Sequence, residues 1–155
     1  MAVEIERKFL VKSLPANFDN HGGKVIRQGY LIITDTGTEL RVRQKQDRFY
    51  QTLKKGEGLS RTEIEIELTK NQFDRLWPHT EGRRVLKTRY IVPVGDFTAE
   101  LDRFANQLSG LLLVEVEFDS VEAGSAFNPP DWFGTDVTED ERYKNKYLAE
   151  HGIPE

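Results

Sequence analysis

The chain has 155 residues, 37% hydrophobic and 31% charged, which suits one globular unit over 1–155 with a sizeable core. Its 22 Lys and Arg against 26 Asp and Glu give a formal charge of -4, so no overall basic field points to nucleic acid or an anionic membrane. The absence of cysteine excludes disulfides, thiolate catalysis and cysteine zinc sites together. No apolar run near the start resembles a signal peptide or approaches a membrane span, so a cytoplasmic location is expected.

The first predicted element is a strand, VEIERKFLV (3–11). Alternation puts Val3, Ile5, Arg7, Phe9 and Val11 on one face and Glu4, Glu6 and Lys8 on the other. Further strands are KVIRQGYLII (24–33), TELRVRQK (38–45), RFYQTLKK (48–55) and LSRTEIEIEL (59–68). Gly, Asp, Asn and Ser punctuate the gaps, as hairpin connections require. TKNQFDRLW (69–77) reads as a helix, with Thr69 three residues before Gln72 as a capping box and Phe73, Leu76 and Trp77 as its apolar stripe. Strands resume with RRVLKTRYIV (83–92), FTAELDRF (97–104) and LLLVEVEF (111–118). A weaker helix, 120–127, stops at Asn128-Pro129-Pro130, and a final helix is predicted over 138–152. That last helix has a Thr138/Glu141 box, acids in its first turn, bases later and Gly152 to end it. The fold class is mainly β, about eight strands in an antiparallel barrel or sandwich with a few peripheral helices.

The polar alternation of the first strand recurs. One face carries Glu39, Arg41, Arg43 and Lys45, then Lys54 beside Tyr50 and Thr52, then Arg61, Glu63, Glu65 and Glu67. Lys87 and Arg89, Glu100 and Asp102, and Glu115 and Glu117 continue it. A solvated sheet face explains any one strand. Most strands, however, carry one dominant sign, so the sheet reads as bands of acid and bands of base. Cross-strand pairing of the bands and a bound ligand both account for this, and spacing does not decide between them. If the face lines a barrel, its ions are too many to bury dry, since each loses several kcal/mol of hydration unless partners replace it. Arg and Lys suit phosphoryl oxygens, and carboxylates on separate strands suit a hard divalent cation.

EIERKF, an acid-x-acid-x-Lys strand, resembles the signature of the CYTH superfamily, the triphosphate tunnel metalloenzymes. RQGYL, ELRVRQ, LKKGEGLSRTEIEIEL, EGRRVLKTRY, ELDRF, LVEVEF and ERYKNKYLA follow in that superfamily's order. Within it the chain is most similar to the short bacterial inorganic triphosphatases. The resemblance implies an eight-stranded antiparallel closed barrel whose charged tunnel cleaves tripolyphosphate to diphosphate and phosphate with Mg2+ or Mn2+. It also implies roles by position. Glu4 and Glu6 would bind the metal bridging the triphosphate, and Glu117 with Glu115 a second ion near the attacking water. Lys8, Arg41, Arg43, Lys54, Lys87 and Arg89 would cradle phosphate oxygens. Glu63, Glu65 and Asp102 would contact waters on the metal or orient the bases. Lys8 and Tyr30 both stand as general bases. The C-terminal segment would lie near one tunnel mouth, bringing Lys144 and Lys146 towards substrate.

On the same fold, thiamine triphosphatase and class IV adenylate cyclase are the alternative activities, and a non-catalytic polyphosphate- or nucleotide-binding barrel is the alternative class. His21, His79 and His151 fall outside the predicted strands, so a histidine zinc site is not expected. Trp77 is read as core and Trp132 as packing over the barrel wall. An inward charged face turns Ile5, Phe9, Leu40, Val42, Ile64, Ile66, Val114, Val116 and Phe118 outward with few helices to cover them, so a homodimer is expected.

Overall fold

The computed structural model describes residues 5–56 and 62–155, so Glu4 and Arg61 lie outside the described residues. The strands are β1 (Ile5–Val11), β2 (Gly23–Ile33), β3 (Glu39–Lys45), β4 (Arg48–Lys55), β5 (Thr62–Leu68), β6 (Arg84–Val94), β7 (Phe97–Phe104), β8 (Leu112–Phe118) and β9 (Phe133–Asp136). They form one nine-stranded sheet in the order β5-β4-β3-β2-β6-β7-β8-β1-β9, and every adjacent pair is antiparallel. Residues of β1 and β8 line the same cavity as residues of β3 and β4, which lie far across that order. The sheet therefore curls into a barrel with its charged face inward. Among the described residues, no ladder joins β5 back to β1 or β9, so the hydrogen-bonded ring stays open at that seam.

The eight strands expected from alternation are present, and β9 is an addition. FGTD offers only four residues, with no alternating run to mark it, and pairs with β1 through a shifted register at Phe9 and Val11. Helix α1 (Lys70–Leu76) carries the predicted box: Gln72 N donates to Thr69 Oγ1 at 3.1 Å, and Thr69 N donates to Gln72 Oε1 at 2.9 Å. Trp77 then enters a 3-10 turn with Pro78 and stacks on Phe73, ring centroids 5.2 Å apart. Helix α2 (Val121–Ala126) is capped by Ser120, whose Oγ accepts from Ala123 N at 3.0 Å.

The continuous helix expected over 138–152 is not found. A 3-10 turn spans Glu141–Tyr143, Lys144 is extended, and α3 covers only Asn145–His151. The reason is local competition for caps. Thr138 Oγ1 accepts from Lys8 N at 3.0 Å and donates to Asp136 instead of capping a helix. Asp140, two residues on, caps the shorter turn by accepting from Arg142 N at 3.1 Å.

Three apolar clusters hold the barrel. Phe9, Leu101, Val114, Val116 and Phe118 pack on its outer wall under Phe127, Phe133 and α2. Trp132 joins that cover, its ring 4.5 Å from Phe133. Val42, Phe49 and Phe73 place α1 against β3 and β4. The third cluster brings Leu148 and Ala149 of α3 onto Tyr30, Val85, Phe104 and Leu113, so the helix closes one end of the lumen. Much of the wall expected to be bare is thus covered: Phe9, Val42, Val114, Val116 and Phe118 are buried, while Ile64 and Ile66 on β5 stay 53% and 49% exposed.

Candidate active site

The register of the barrel decides which polar side chains meet. Lys8 lies opposite Glu115, and Glu6 opposite Glu117, in the β1–β8 ladder. Tyr30 lies opposite Arg41 between β2 and β3, and Glu39 opposite Lys54 between β3 and β4. Curling brings these residues, all but Glu117, around one polar cavity of about 230 Å³. Of the expected site residues it gathers Glu6, Lys8, Tyr30, Arg41, Lys54 and Glu115. The C-terminal segment adds Asp140, Lys144, Asn145 and Lys146 to the lining.

Most cations of this cavity have partners in the protein, Lys144 lying 2.9 Å from Glu141. Lys8 Nζ is 3.6 Å from Glu115 and donates to the Tyr143 carbonyl at 3.1 Å, and Lys146 is 3.9 Å from Glu39. Arg41 is buried, and among the described residues its Nε has no hydrogen-bond partner; nor has the buried Nε of Arg43, two residues along the same strand face. Orphaned guanidinium donors are costly, and an anion is the natural partner for them. Burial pushes Arg43 below the usual guanidinium range, and the neighbouring Arg41 adds to this.

Tyr30 stands at the floor of the cavity. Its phenol accepts from Gln28 Nε2 at 2.8 Å, and burial pushes it up to about 12 against the pull of Arg41. It therefore keeps its proton at neutral pH. Its backbone is clamped by Arg83, whose Nε donates to the Tyr30 carbonyl at 2.9 Å. Thr80 packs so closely on neighbouring Gly29 that an added Cβ would lie 2.5 Å from its Oγ1. Only glycine fits there.

The remaining expected residues that the structure describes, Glu117 among them, lie outside the lining of that cavity. Lys87 is 3% exposed, makes a 2.8 Å ion pair with Asp102 and approaches Asn145 Oδ1 at 3.4 Å. Arg89 makes a two-pronged contact with Asp102 at 2.8 and 3.0 Å and pairs with Glu100 at 2.8 Å. Burial pushes Asp102 up, but Lys87 and Arg89 outweigh it and hold the carboxyl at about 2. Arg89 is raised further by those carboxylates despite burial, whereas burial lowers Lys87 against the pull of Asp102. Glu65 accepts from Thr52 Oγ1 at 2.9 Å and lies 3.8 Å from Arg43, and Glu63 faces Lys54 across the β4–β5 ladder.

For a divalent cation, the donor set at hand is the facing pair Glu6 and Glu117. Among the described residues no three carboxylates or imidazoles converge on one point. Like charges directly opposite in an antiparallel ladder are unfavourable, and two carboxylates are hard oxygen donors, so a hard divalent cation fits this pair. Glu39, Asp140 and Asn145 complete the lining without having been singled out from the sequence. Glu39 was readable from its place on the Arg41 and Arg43 face, while Asn145 carried no signal before the fold of the C-terminal segment was known.

The CYTH domain family model matches residues 2–138. The inorganic triphosphatase of Nitrosomonas europaea is 55% identical over 148 residues, covering 94% of this chain and 96% of that protein. The inorganic triphosphatase of Acetivibrio thermocellus is 35% identical over 153 residues, covering 97% and 96%. The crystal structure of the inorganic triphosphatase NE1496 superposes with a TM-score of 0.80 at 49% identity, covering 99% of each chain. The more distant PH1012 protein of Pyrococcus horikoshii shares the fold, with a TM-score of 0.53 at 21% identity over 79% of this chain and 84% of that one. With that match and these relatives, on a barrel whose charged face turns inward, the chain belongs to the CYTH domain family.

Proposed function

We propose that this chain hydrolyses inorganic triphosphate to diphosphate and phosphate in the barrel lumen, with residues 1–155 working as one unit and a divalent cation as cofactor. The observation that carries the reading is the pair of buried, unpartnered guanidinium nitrogens on Arg41 and Arg43. The activity named for the relatives at 55% and 35% identity supports it. Phosphoryl transfer asks mainly for positioning and charge stabilisation, which a row of fixed cations supplies.

In this reading Lys8, Arg41 and Lys54 hold phosphoryl oxygens in the cavity, and Arg43 extends the row. Lys87 and Arg89 contribute positive charge from behind, held in place by Asp102. Glu63 and Glu65 orient Lys54 and Arg43. Glu6 and Glu117, with Glu4 and Glu115 beside them in the sequence, hold the metal, which is magnesium or manganese by its preference for carboxylate oxygen. When bound, that metal neutralises phosphate charge and lowers the pKa of water. Tyr30 keeps its proton and serves as a hydrogen-bond donor, and Lys8, whose Nζ donates to the Tyr143 carbonyl beside Glu115, serves as a cation for phosphate, so neither is singled out as the general base.

Tyr30 is the aromatic ring that lines the cavity, and its hydroxyl is already engaged by Gln28. An organic group on the substrate therefore finds no stacking surface there. Tripolyphosphate should be cleaved with a kcat/KM at least about tenfold above ATP or thiamine triphosphate, roughly 1.4 kcal/mol of transition-state stabilisation. A substrate panel with purified protein, run with magnesium and with manganese and resolving cyclic AMP from free phosphate, measures this. Equal or higher efficiency on ATP would move the cyclase and nucleotidase readings ahead.

Self-association belongs to the same proposal, on narrower grounds than a bare outer wall. β5 lies at one end of the sheet order, and its Ile64 and Ile66 side chains stay exposed on the outer face, an apolar surface that a second copy of the chain would bury. Light scattering at micromolar concentration should give the mass of two chains, and Ile64→Lys with Ile66→Lys should halve it. A mass of one chain for the unaltered protein would remove the dimer.

A further inference from the structure

Beyond the cavity, the inner face of the barrel carries a second group of cations. On β3 the ladder Arg41, Arg43, Lys45 climbs in two-residue steps of about 7 Å each, away from the end that α3 closes. Arg41 lines the cavity and Lys45 does not. Across the β2–β3 ladder Lys45 faces Ile26, which is fully buried. Two residues from Ile26 on the same face of β2 is Lys24, opposite Arg89 of β6. Register alone therefore sets Lys24, Arg43, Lys45 and Arg89 around the open end of the lumen.

The group carries more positive than negative charge. Arg89 is matched by Glu100 at 2.8 Å and by Asp102, and Arg43 lies 3.8 Å from Glu65. Among the described residues neither Lys24 nor Lys45 makes an ion pair, and the Nε of Arg43 has no hydrogen-bond partner. Burial lowers Lys45 below the usual lysine range, and Arg89, Arg43 and Lys24 lower it further, with Glu100 opposing weakly. Such crowding of like charge raises the free energy of the folded chain unless an anion comes to it.

We infer that Lys24 and Lys45, with Arg43 and Arg89, form an additional anion subsite at the open mouth, one that takes the phosphoryl group of an inorganic polyphosphate lying beyond the third. The inference rests on the triphosphate reading of the cavity and assigns specificity to residues outside it. A chain of four phosphoryl groups, held at one end by Lys8, Arg41 and Lys54, runs along the β3 ladder and meets Lys45 and Lys24. Triphosphate ends before them. Being near solvent, the added contact should weaken with ionic strength.

The test is calorimetric titration of the whole protein with linear tripolyphosphate and linear tetrapolyphosphate at low salt, with a chelator in place of magnesium so that neither is turned over. The unaltered protein should bind tetrapolyphosphate about fivefold more tightly than tripolyphosphate, a margin in the range of one solvent-exposed charge contact. In Lys24→Gln with Lys45→Gln that ratio should fall to about one, while Lys24→Arg with Lys45→Arg should keep it. A ratio near one for the unaltered protein, or a ratio unmoved in the double Gln variant, overturns the subsite. Turnover of tripolyphosphate measured alongside with magnesium separates the two readings. If it persists while the ratio fails, only the subsite falls; if tripolyphosphate is neither bound nor cleaved, the triphosphatase reading falls and takes the subsite with it.

Discussion

Glu6→Gln should lower kcat/KM for tripolyphosphate by at least about 100-fold at saturating magnesium, close to 2.7 kcal/mol of transition-state stabilisation. The expectation comes from the β1–β8 register, which sets Glu6 directly opposite Glu117. If these facing carboxylates were only the wet face of a sheet, neutralising one would leave activity alone. If instead they hold a cation, the same change removes a ligand charge with almost no change of volume. A readout that does not depend on turnover separates these cases. Magnesium should raise the unfolding temperature of the unaltered protein by mass action, and Glu6→Gln should lose that rise while folding as well as before. Glu4→Gln, two residues earlier in the sequence, should behave the same way. Near-wild-type activity in Glu6→Gln at saturating magnesium would show that the metal is held elsewhere.

The sequence carried the alternation of this barrel clearly because one side of most strands is charged throughout. Ile64 and Glu65, or Val116 and Glu117, differ so strongly that a shift of one residue would invert both faces. That is why the strand boundaries and the inward residues could be read before the fold was known. Register was less accessible. Nothing in EIERKF or LLVEVEF says that Glu6 meets Glu117 while Lys8 meets Glu115, since the curl and ladder of the whole sheet fix this. The cover on the outer wall was also hidden. Phe127, Phe133 and Trp132 lie in a Pro-rich stretch with no periodic pattern, yet they bury Phe9, Val114 and Phe118. Counting helices alone overstated the bare surface. The C-terminal segment misled for a related reason: acids, bases and Gly152 fit one long helix, but Thr138 and Asp140 hydrogen-bond locally and shorten it. That break lets the Tyr143 carbonyl and Asn145 reach Lys8 and Lys87.

Asp102→Asn should be the most destabilising single change on the inner face. Asp102 joins β7 to two cations of β6, with Lys87 at 2.8 Å and Arg89 at 2.8 Å, and its side chain is 9% exposed. Asparagine keeps the shape and removes the charge, leaving a nearly fully buried ammonium without its counter-ion. Breaking a buried pair in this way costs about 3–5 kcal/mol, which for a chain of this size lowers the unfolding temperature by roughly 10 °C. Arg89 retains Glu100 at 2.8 Å, so the loss should fall mainly on Lys87. Replacing both members, Lys87→Met with Asp102→Leu, removes the stranded charge and should recover more than half of the lost stability. The same carboxyl predicts acid behaviour. Its folded pKa is depressed from 3.8 to about 2, so its contribution is fully present above the unfolded value and is lost as pH falls through the folded one. Between about pH 4 and pH 2 the unaltered protein should therefore lose on the order of 2 kcal/mol through this group, and Asp102→Asn should show a flatter curve over that window. Urea denaturation from pH 7 to pH 2 measures both effects. If Asp102→Asn lies within about 1 kcal/mol of the unaltered protein at pH 7, Lys87 has another partner and the ion cluster does not hold β6 to β7.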